Sequence, residues 1–222
     1  MSELLPCLEI DSPQNKQSDH SVIWLHGLGA DGHDFEPIVG ELNLNMPVRF
    51  IFPHAPEMPV TINNGMRMPA WYDIKATQIN QQQDETGIEK SQLSILALLQ
   101  REIDRGVKSN NIILAGFSQG GAVALHTALR FEQPLAGIMG LSTYLPLADK
   151  VEKDIQPANK NTPIFLAHGN YDQVIPVQLA EQTQQTLNSF GYQTEFNKYN
   201  MEHSVCAEEI NDISDWINRC FK

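Results

Sequence analysis

Short, nearly continuous apolar runs alternate along the chain with segments whose apolar residues recur at helical spacing. The apolar runs are residues 22–25, 48–52, 112–115, 135–141 and 163–167, with a further strand predicted at 193–199. The helical patterns are residues 87–105, 119–130, 178–190 and 204–221. Unbroken apolar runs of this length are typical of parallel strands covered on both faces. The alternation predicts an α/β fold with a mostly parallel central sheet and helices on both faces.

One segment, residues 53–73, does not follow this alternation. Its prolines argue against regular structure, and its methionine and aromatic content argues against disorder. Two interpretations stay open from composition alone: a packed loop beside the functional site, or an Ω-like loop whose apolar residues only fill the core. The residues concerned are Pro53, Pro56, Pro59 and Pro69, with Met58, Ile62, Met66, Met68 and Trp71. Residues 78–85 are polar and predict an exposed loop.

Length and composition fit one domain covering residues 1–222, because the chain is long enough to bury a substantial core and contains no internal repeat or linker. The net charge is −12 and the pI is near 4.9. This acidity opposes nucleic-acid binding and gives no polybasic patch for anionic membranes, although lipid-derived substrates remain compatible with it.

The cysteines and the N-terminal segment bear on the cellular compartment. Three scattered cysteines, Cys7, Cys206 and Cys220, lack metal-type spacing and predict thiols in a reducing compartment rather than a disulfide framework. Residues 1–18 lack a basic start followed by an apolar stretch of signal-peptide length, and no apolar run suggests stable membrane insertion. We therefore expect a cytoplasmic protein.

The candidate chemistry begins at Gly116-Phe117-Ser118-Gln119-Gly120, which places a serine between two glycines where an apolar run gives way to a helical pattern. Glycines two residues either side of a serine let a strand and a helix approach closely, so that the serine hydroxyl projects from the edge of the sheet. The pattern alone also occurs in ordinary loops, but the strand-turn-helix context is the one a nucleophile elbow requires.

A serine nucleophile needs an imidazole base and usually a carboxylate that orients it. His126 lies about two turns into the helix after Ser118, and His168 ends a strand too early to leave an acid before it, so His203 is the best base. Asp172 is the favoured acid because it follows a strand directly, whereas Asp149 lies in a charged surface stretch. The other acids between serine and base are Asp154, Glu181 and Glu195.

The same chemistry needs N–H donors aimed at a developing oxyanion. The backbone N–H of Gln119 follows the nucleophile, and the Leu28 N–H lies in the glycine-rich stretch after the first apolar run. That stretch, residues 26–32, could instead be a simple turn or a phosphate cradle, but it lacks the Gly-x-Gly-x-x-Gly pattern and a Walker lysine. A metal-dependent hydrolase using His26, His33, Asp34 or His168 is a further alternative, which no metal-type spacing supports.

These residues together resemble a known family. The chain is similar over nearly its whole length to the bacterial carboxylesterases and eukaryotic acyl-protein thioesterases, the phospholipase/carboxylesterase group of the α/β-hydrolase superfamily. The similar stretches are Leu25-His26-Gly27-Leu28-Gly29, Pro53-His54-Ala55-Pro56, Pro69-Ala70-Trp71-Tyr72-Asp73, Gly116-Phe117-Ser118-Gln119-Gly120-Gly121, Leu141-Ser142 through Leu145-Pro146, His168-Gly169 with Asp172, and Met201-Glu202-His203-Ser204.

The resemblance implies an α/β-hydrolase fold with catalytic Ser118, Asp172 and His203. It implies that the amides of Leu28 and Gln119 form the oxyanion hole, and that no metal or organic cofactor takes part. It also implies an acyl-binding groove shaped by the loop of residues 59–71, whose candidate substrate contacts are Met66, Met68 and Trp71. Asn170 and Tyr171 stand where relatives often carry other residues, so the resemblance leaves the triad intact but does not define the substrate contacts at these two positions.

The implied substrates are small esters, thioesters or lipid-derived acyl compounds, including acylated proteins, and some members of the family form homodimers. The apolar loop predicts a preference for short or medium acyl chains over charged ones. The alternatives are a lysophospholipase acting on lipid esters and a non-catalytic binding protein that retains the fold.

Overall fold

A seven-stranded sheet forms the centre of the computed structural model, which describes residues 4–11 and 18–221. The strand order is β1-β3-β2-β6-β7-β8-β9, and every pairing is parallel except that β1 runs antiparallel to β3. The strands are β1 Cys7–Asp11, β2 Ser21–Leu25, β3 Arg49–Pro53, β6 Ile112–Phe117, β7 Gly137–Leu141, β8 Ile164–Gly169 and β9 Thr194–Tyr199. The two remaining strands, β4 Glu57–Val60 and β5 Met66–Pro69, pair only with each other.

Helices cover both faces of this sheet, as the alternating pattern predicts. They are α1 Glu85–Asp104, α2 Gln119–Arg130, α3 Val151–Asp154, α4 Val177–Ser189 and α5 Ala207–Cys220. Apolar residues of α1, α2 and α4 pack in one buried cluster, while α5 and the 3₁₀ helix Glu36–Gly40 pack in a second cluster on the opposite face. The strands between them are almost entirely buried, which explains why they read as continuous apolar runs.

The expectation that residues 53–73 lack regular structure is wrong. Strands β4 and β5 form an antiparallel hairpin in this segment, with Pro59 opposite Arg67. A two-stranded hairpin consists only of edge strands, where a proline can lack its N–H without breaking a central ladder. Proline content therefore excludes a central strand here but does not exclude a hairpin.

The sequence pattern also missed β1, whose residues are partly buried or exposed and whose apolar residues are interrupted by Glu9 before the strand ends at Asp11. It pairs with β3 at the edge of the sheet, where burial on both faces is not required. The prediction for residues 1–18 falls in part on residues 1–3 and 12–17, which lie outside the described residues. Within the part of the chain that the structure describes, no helix is long and apolar enough to cross a membrane.

Candidate active site

Ser118 occupies a sharp turn between strand β6 and helix α2. Its φ of 53° and ψ of −121° lie in a region that non-glycine residues rarely adopt, so this backbone is strained. The turn is held by the Ser118 N–H, which donates to the Leu141 carbonyl at 2.8 Å, and by the Thr143 hydroxyl, which donates to the Ser118 carbonyl at 2.7 Å. These bonds fix the serine at the carboxyl edge of the sheet.

Both flanking glycines are required by close backbone contacts. A Cβ on Gly116 would collide with the backbone of Gly120, and a Cβ on Gly120 would collide with the carbonyl oxygens of Leu25 and His26. The elbow therefore packs directly against the end of β2, where the glycine-rich segment begins. A Cβ on Gly27 would lie 3.4 Å from the Ser118 Cβ, so this segment passes beside the serine hydroxyl.

The loops after β8 and β9 carry Asp172 and His203, and backbone bonds join these two loops. The Asn170 N–H donates to the Tyr199 carbonyl at 2.8 Å, and the Tyr171 N–H donates to the Met201 carbonyl at 3.0 Å. Gly169 allows this approach, because a Cβ there would collide with the carbonyls at Met201 and Glu202. The pairing of the two strands thus continues into the loops and sets the separation of acid and base.

The structure brings the three residues predicted for the triad together. The Ser118 Oγ lies 3.0 Å from His203 Nε2, and His203 Nδ1 lies 2.7 Å from Asp172 Oδ2. Asp172 Oδ1 accepts the N–H groups of Val174 at 2.9 Å and Ile175 at 2.8 Å. The imidazole of His203 also packs on the ring of Phe117, with centroids 4.8 Å apart.

The electrostatic surroundings keep Asp172 ionised. Burial alone would raise the pKa of its carboxyl, but hydrogen bonds from His168, His203 and the Ile175 N–H together lower that pKa below its ordinary value. An ionised carboxylate accepts the Nδ1 proton of His203, which leaves Nε2 free to accept the proton of Ser118. This arrangement can generate a serine nucleophile at neutral pH.

The two predicted oxyanion donors lie on the segments that meet at Ser118. Among the hydrogen bonds of the described residues, none is donated by the backbone N–H of Leu28 or of Gln119. Gln119 is the first residue of α2, where backbone N–H groups have no partner within the helix. Both donors are therefore available to an added oxygen atom.

The candidate substrate contacts separate into three environments. Met66 is 64% exposed on the hairpin, whereas Trp71 is buried at 2%. Met68 is partly buried, and its sulfur would lie 3.8 Å from a Cβ on Gly29. Met66 therefore presents exposed surface on the hairpin, and Met68 presents surface beside the glycine-rich segment. Contact of the three residues with substrate stays a prediction.

Trp71 connects the two segments that carry the oxyanion donors. Its indole N–H donates to the His26 carbonyl at 2.8 Å, and its backbone N–H donates to the Gln119 side-chain oxygen at 2.9 Å. The Gln119 amide group in turn donates to the Tyr72 carbonyl at 2.7 Å. The resemblance assigns Trp71 to the acyl groove, which stays a prediction, and the structure adds that its indole joins these two segments.

Sequence reasoning also set His168 aside, although the structure places it against Asp172. Its Nε2 lies 2.7 Å from the Ile175 carbonyl and 3.2 Å from Asp172 Oδ2. The His168 Nε2–H donates to both oxygens and so helps to hold the Asp172 carboxylate in position. The only signal in the sequence is that His168 ends the strand four residues before Asp172, a spacing that does not distinguish a supporting residue from a core one.

The residues considered for a metal site do not cluster. Among residues 4–11 and 18–221, no group of three or more His, Cys, Asp or Glu side chains is placed to hold a metal ion. His33 is exposed and bonds to Glu36 at 2.8 Å, while His168 faces Asp172. His126 is buried within α2 with its Nε2 3.1 Å from the Gln92 side-chain oxygen.

Comparison with known proteins agrees with this geometry. Residues 5–221 match the family model described as Phospholipase/Carboxylesterase. An acyl-protein thioesterase 1 from Neurospora crassa is 41% identical over 208 residues, which cover 89% of this chain and 85% of the relative. A protein of the same name from Yarrowia lipolytica is 40% identical over 210 residues, covering 91% and 92% of the two chains.

Solved structures give the same result. Arabidopsis thaliana SOBER1 has a TM-score of 0.87 and 30% identity, with 91% of this chain and 99% of that chain covered. Zea mays acyl-protein thioesterase 2 has a TM-score of 0.82 and 25% identity, with coverage of 97% and 99%. The fold and the predicted family are thereby confirmed, and the chain belongs to the phospholipase/carboxylesterase family of α/β-hydrolases.

Proposed function

We propose that this protein is a serine hydrolase that cleaves carboxyl ester and thioester bonds through an acyl-enzyme. The observation that carries the proposal is the hydrogen-bonded series from Ser118 Oγ to His203 Nε2 at 3.0 Å and from His203 Nδ1 to Asp172 Oδ2 at 2.7 Å. Membership of a hydrolase family supports the same activity.

In the first half-reaction, Ser118 Oγ attacks the acyl carbonyl carbon while its proton moves to His203 Nε2. The ionised Asp172 stabilises the imidazolium, and the N–H groups of Leu28 and Gln119 stabilise the negative oxygen of the tetrahedral intermediate. The intermediate collapses when His203 returns the proton to the departing alcohol or thiol. An ester bond then joins the acyl group to Ser118.

In the second half-reaction, water attacks this ester. His203 takes a proton from the water, a second tetrahedral intermediate forms in the same oxyanion hole, and collapse returns the proton to Ser118 Oγ. The products are the free acid and the regenerated enzyme. Each proton is carried by a side chain of this chain, so the mechanism needs no metal or organic cofactor.

The substrate class follows from the relatives and from the hairpin. Several relatives carry the name acyl-protein thioesterase, which favours acylated proteins and related acyl thioesters. Met68 lies beside Gly29, next to the proposed oxyanion donor Leu28, and Met66 extends along the same strand. These methionines would present apolar, adaptable surface to a short or medium acyl chain.

We place this activity in the cytoplasm, since three scattered cysteines without metal-type spacing fit a reducing compartment. A homodimer is compatible with this assignment, and size-exclusion chromatography with light scattering would test it.

The test is labelling with a fluorophosphonate probe followed by peptide mapping. We expect the label on Ser118, and we expect Ser118→Ala to lose both labelling and turnover while its urea unfolding midpoint stays near that of the wild type. Ser204→Ala is the matched control, because it removes an exposed hydroxyl beside His203 and is expected to retain both.

A substrate series then defines the specificity. p-Nitrophenyl esters from acetate to palmitate, an acyl thioester and a lysophospholipid would be compared on the wild type and on Ser118→Ala. Turnover by Ser118→Ala, or folded wild-type protein that neither labels nor turns over substrate, would refute the proposed function. Equal rates for charged and apolar acyl groups would refute the proposed groove.

A further inference from the structure

His26 is a buried imidazole that the mechanism above does not use. It is 1% exposed and is the first residue of the glycine-rich segment that follows β2. Its Nδ1 lies 2.7 Å from the Gly27 carbonyl oxygen, and its Nε2 lies 3.1 Å from the Ala55 backbone nitrogen. Both ring nitrogens therefore have partners.

These partners determine which nitrogen carries the proton. A backbone N–H can only donate, so Nε2 must be the unprotonated acceptor of the Ala55 N–H. Nδ1 then carries the hydrogen and donates it to the Gly27 carbonyl. The ring is neutral in this arrangement, and burial lowers the pKa of His26, which favours the same neutral form.

The carbonyl that His26 binds belongs to the same peptide group as the Leu28 N–H. In a planar trans peptide, the C=O of one residue and the N–H of the next point in opposite directions. We propose that His26 is a positioning residue, whose Nδ1–H holds the Gly27–Leu28 peptide so that the Leu28 N–H faces the oxyanion formed at Ser118. This inference rests on the proposed function, because it assigns a role within the same reaction.

The neighbouring peptide groups are held by other bonds. The Trp71 indole N–H donates to the His26 carbonyl at 2.8 Å, and the Gly29 N–H donates to the Pro69 carbonyl at 2.9 Å. The Ala30 N–H also reaches the Gly27 carbonyl, at 3.3 Å. The Leu28 N–H, like the Gly27 N–H before it, donates to no acceptor among the described residues, so it is available to an oxyanion.

The hydrogen bond from His26 acts as a clamp on the Gly27–Leu28 peptide. It is needed because glycine alone does not restrict the rotation of that peptide. A Cβ added to Gly27 would lie 3.3 Å from the Phe117 ring and 3.4 Å from the Ser118 Cβ. A larger residue at this position would therefore crowd the nucleophile. Because Gly27 has no side chain, it leaves this space open, but it also lets the Gly27–Leu28 peptide rotate easily. His26 supplies the missing restraint from the side away from Ser118.

Two substitutions separate the two hydrogen bonds of His26. In His26→Asn the amide nitrogen is as many bonds from Cβ as Nδ1, so it can donate to the Gly27 carbonyl while the bond to Ala55 is lost. In His26→Gln the amide oxygen is as many bonds from Cβ as Nε2, so it can accept the Ala55 N–H while the clamp on the Gly27–Leu28 peptide is lost.

The assays are steady-state kinetics on a p-nitrophenyl ester and the affinity for an alkyl trifluoromethyl ketone, which forms a charged tetrahedral adduct with the serine. Removing an oxyanion donor lowers kcat by about 10²- to 10³-fold, so a misdirected one should cost His26→Gln roughly 10- to 100-fold in kcat. We expect little change in KM and a parallel loss of ketone affinity. His26→Asn should retain most of both quantities.

Urea unfolding midpoints are measured for each variant. His54→Asn serves as a control, since His54 Nδ1 accepts the Gly32 N–H in the adjacent loop and does not touch the Leu28 peptide. Equal losses of kcat in the Asn and Gln variants, or losses seen only in KM, would overturn the positioning role.

A measurement on the wild type tests the inference without any variant. The ¹⁵N chemical shifts of the His26 ring should report a neutral imidazole protonated at Nδ1, and a ring protonated at Nε2 would overturn the inference. These outcomes are distinct from failure of the proposed function, in which the wild type itself would show neither turnover nor label on Ser118.

Discussion

Replacing Asp172 by asparagine is expected to remove most of the activity while preserving the fold. Asp172 Oδ1 accepts two backbone N–H groups, from Val174 at 2.9 Å and Ile175 at 2.8 Å, while Oδ2 accepts the His203 Nδ1–H. The amide oxygen of an asparagine will occupy the Oδ1 position, because the two N–H groups require an acceptor. Its NH₂ group then faces His203 and reverses the imidazole tautomer, while the His168 Nε2–H, which also reaches Oδ2, keeps the Ile175 carbonyl as its acceptor at 2.7 Å.

The size of the loss follows from the cost of turning this amide over. The productive orientation would place the NH₂ group against two N–H donors, the buried one of Ile175 and the part-buried one of Val174, which costs on the order of 2–4 kcal/mol. At about 1.4 kcal/mol per factor of ten, this leaves roughly one molecule in 30 to one in 700 with a usable base. Loss of the charge opposite the imidazolium adds to this, so we expect kcat to fall about 10³- to 10⁴-fold.

The assay is steady-state hydrolysis of a p-nitrophenyl ester, with the rate of fluorophosphonate labelling as a second readout. Asp149→Asn is the matched control, since Asp149 is an exposed acid between Ser118 and His203 in the sequence and is expected to keep wild-type kcat. A fall in kcat of less than about 30-fold, in protein with a wild-type unfolding midpoint, would refute the tautomer argument. An equal loss in Asp149→Asn would refute the choice of acid.

Three further predictions address stability and cofactor use. Glu102 is fully buried, accepts the Ser21 hydroxyl at 2.9 Å and faces Arg49 at 3.4 Å, so Glu102→Ala should lower the free energy of unfolding by about 3–5 kcal/mol in urea titrations, with kcat per folded molecule unchanged. Burial raises the pKa of the Glu209 carboxyl to about 8, and the charge of Asp212 acts in the same direction. Because the folded state then holds this proton more tightly than the unfolded chain, wild-type stability should fall by up to about 4 kcal/mol from about pH 5 to pH 8, and Glu209→Gln should flatten this dependence in unfolding curves at the two pH values. Incubation with EDTA should leave ester hydrolysis unchanged, and a loss restored by added zinc would contradict the metal-free mechanism.

The strand-helix alternation was enough to place Ser118, Asp172 and His203 at one edge of the sheet. Each residue follows a parallel strand of the sheet, and the carboxyl ends of parallel strands share an edge. The chain order of these residues then indicated which acid and which histidine to choose. The spacing of apolar residues and the order of the candidate residues along the chain can both be read directly from a single sequence.

The hairpin and the supporting histidines could not be obtained in this way. Strands β4 and β5 are stabilised by pairing with each other, and their prolines hide the period-two pattern. His26 contacts Ala55, and Trp71 contacts both His26 and Gln119, across separations that no spacing rule covers. Local sequence does not specify which distant backbone group a buried ring will meet.

The contact of Gly120 with the carbonyl oxygens of Leu25 and His26 limits how this enzyme can evolve. No side chain can enter that position unless the helix that follows Ser118 moves away from β2, and the same movement would carry the Gln119 N–H away from the Leu28 peptide. The nucleophile and the proposed oxyanion donors are therefore constrained together. The β4–β5 hairpin belongs to a separate sheet, so if it lines the acyl groove as proposed, mutations in it would change the accepted acyl group while the reaction itself is preserved.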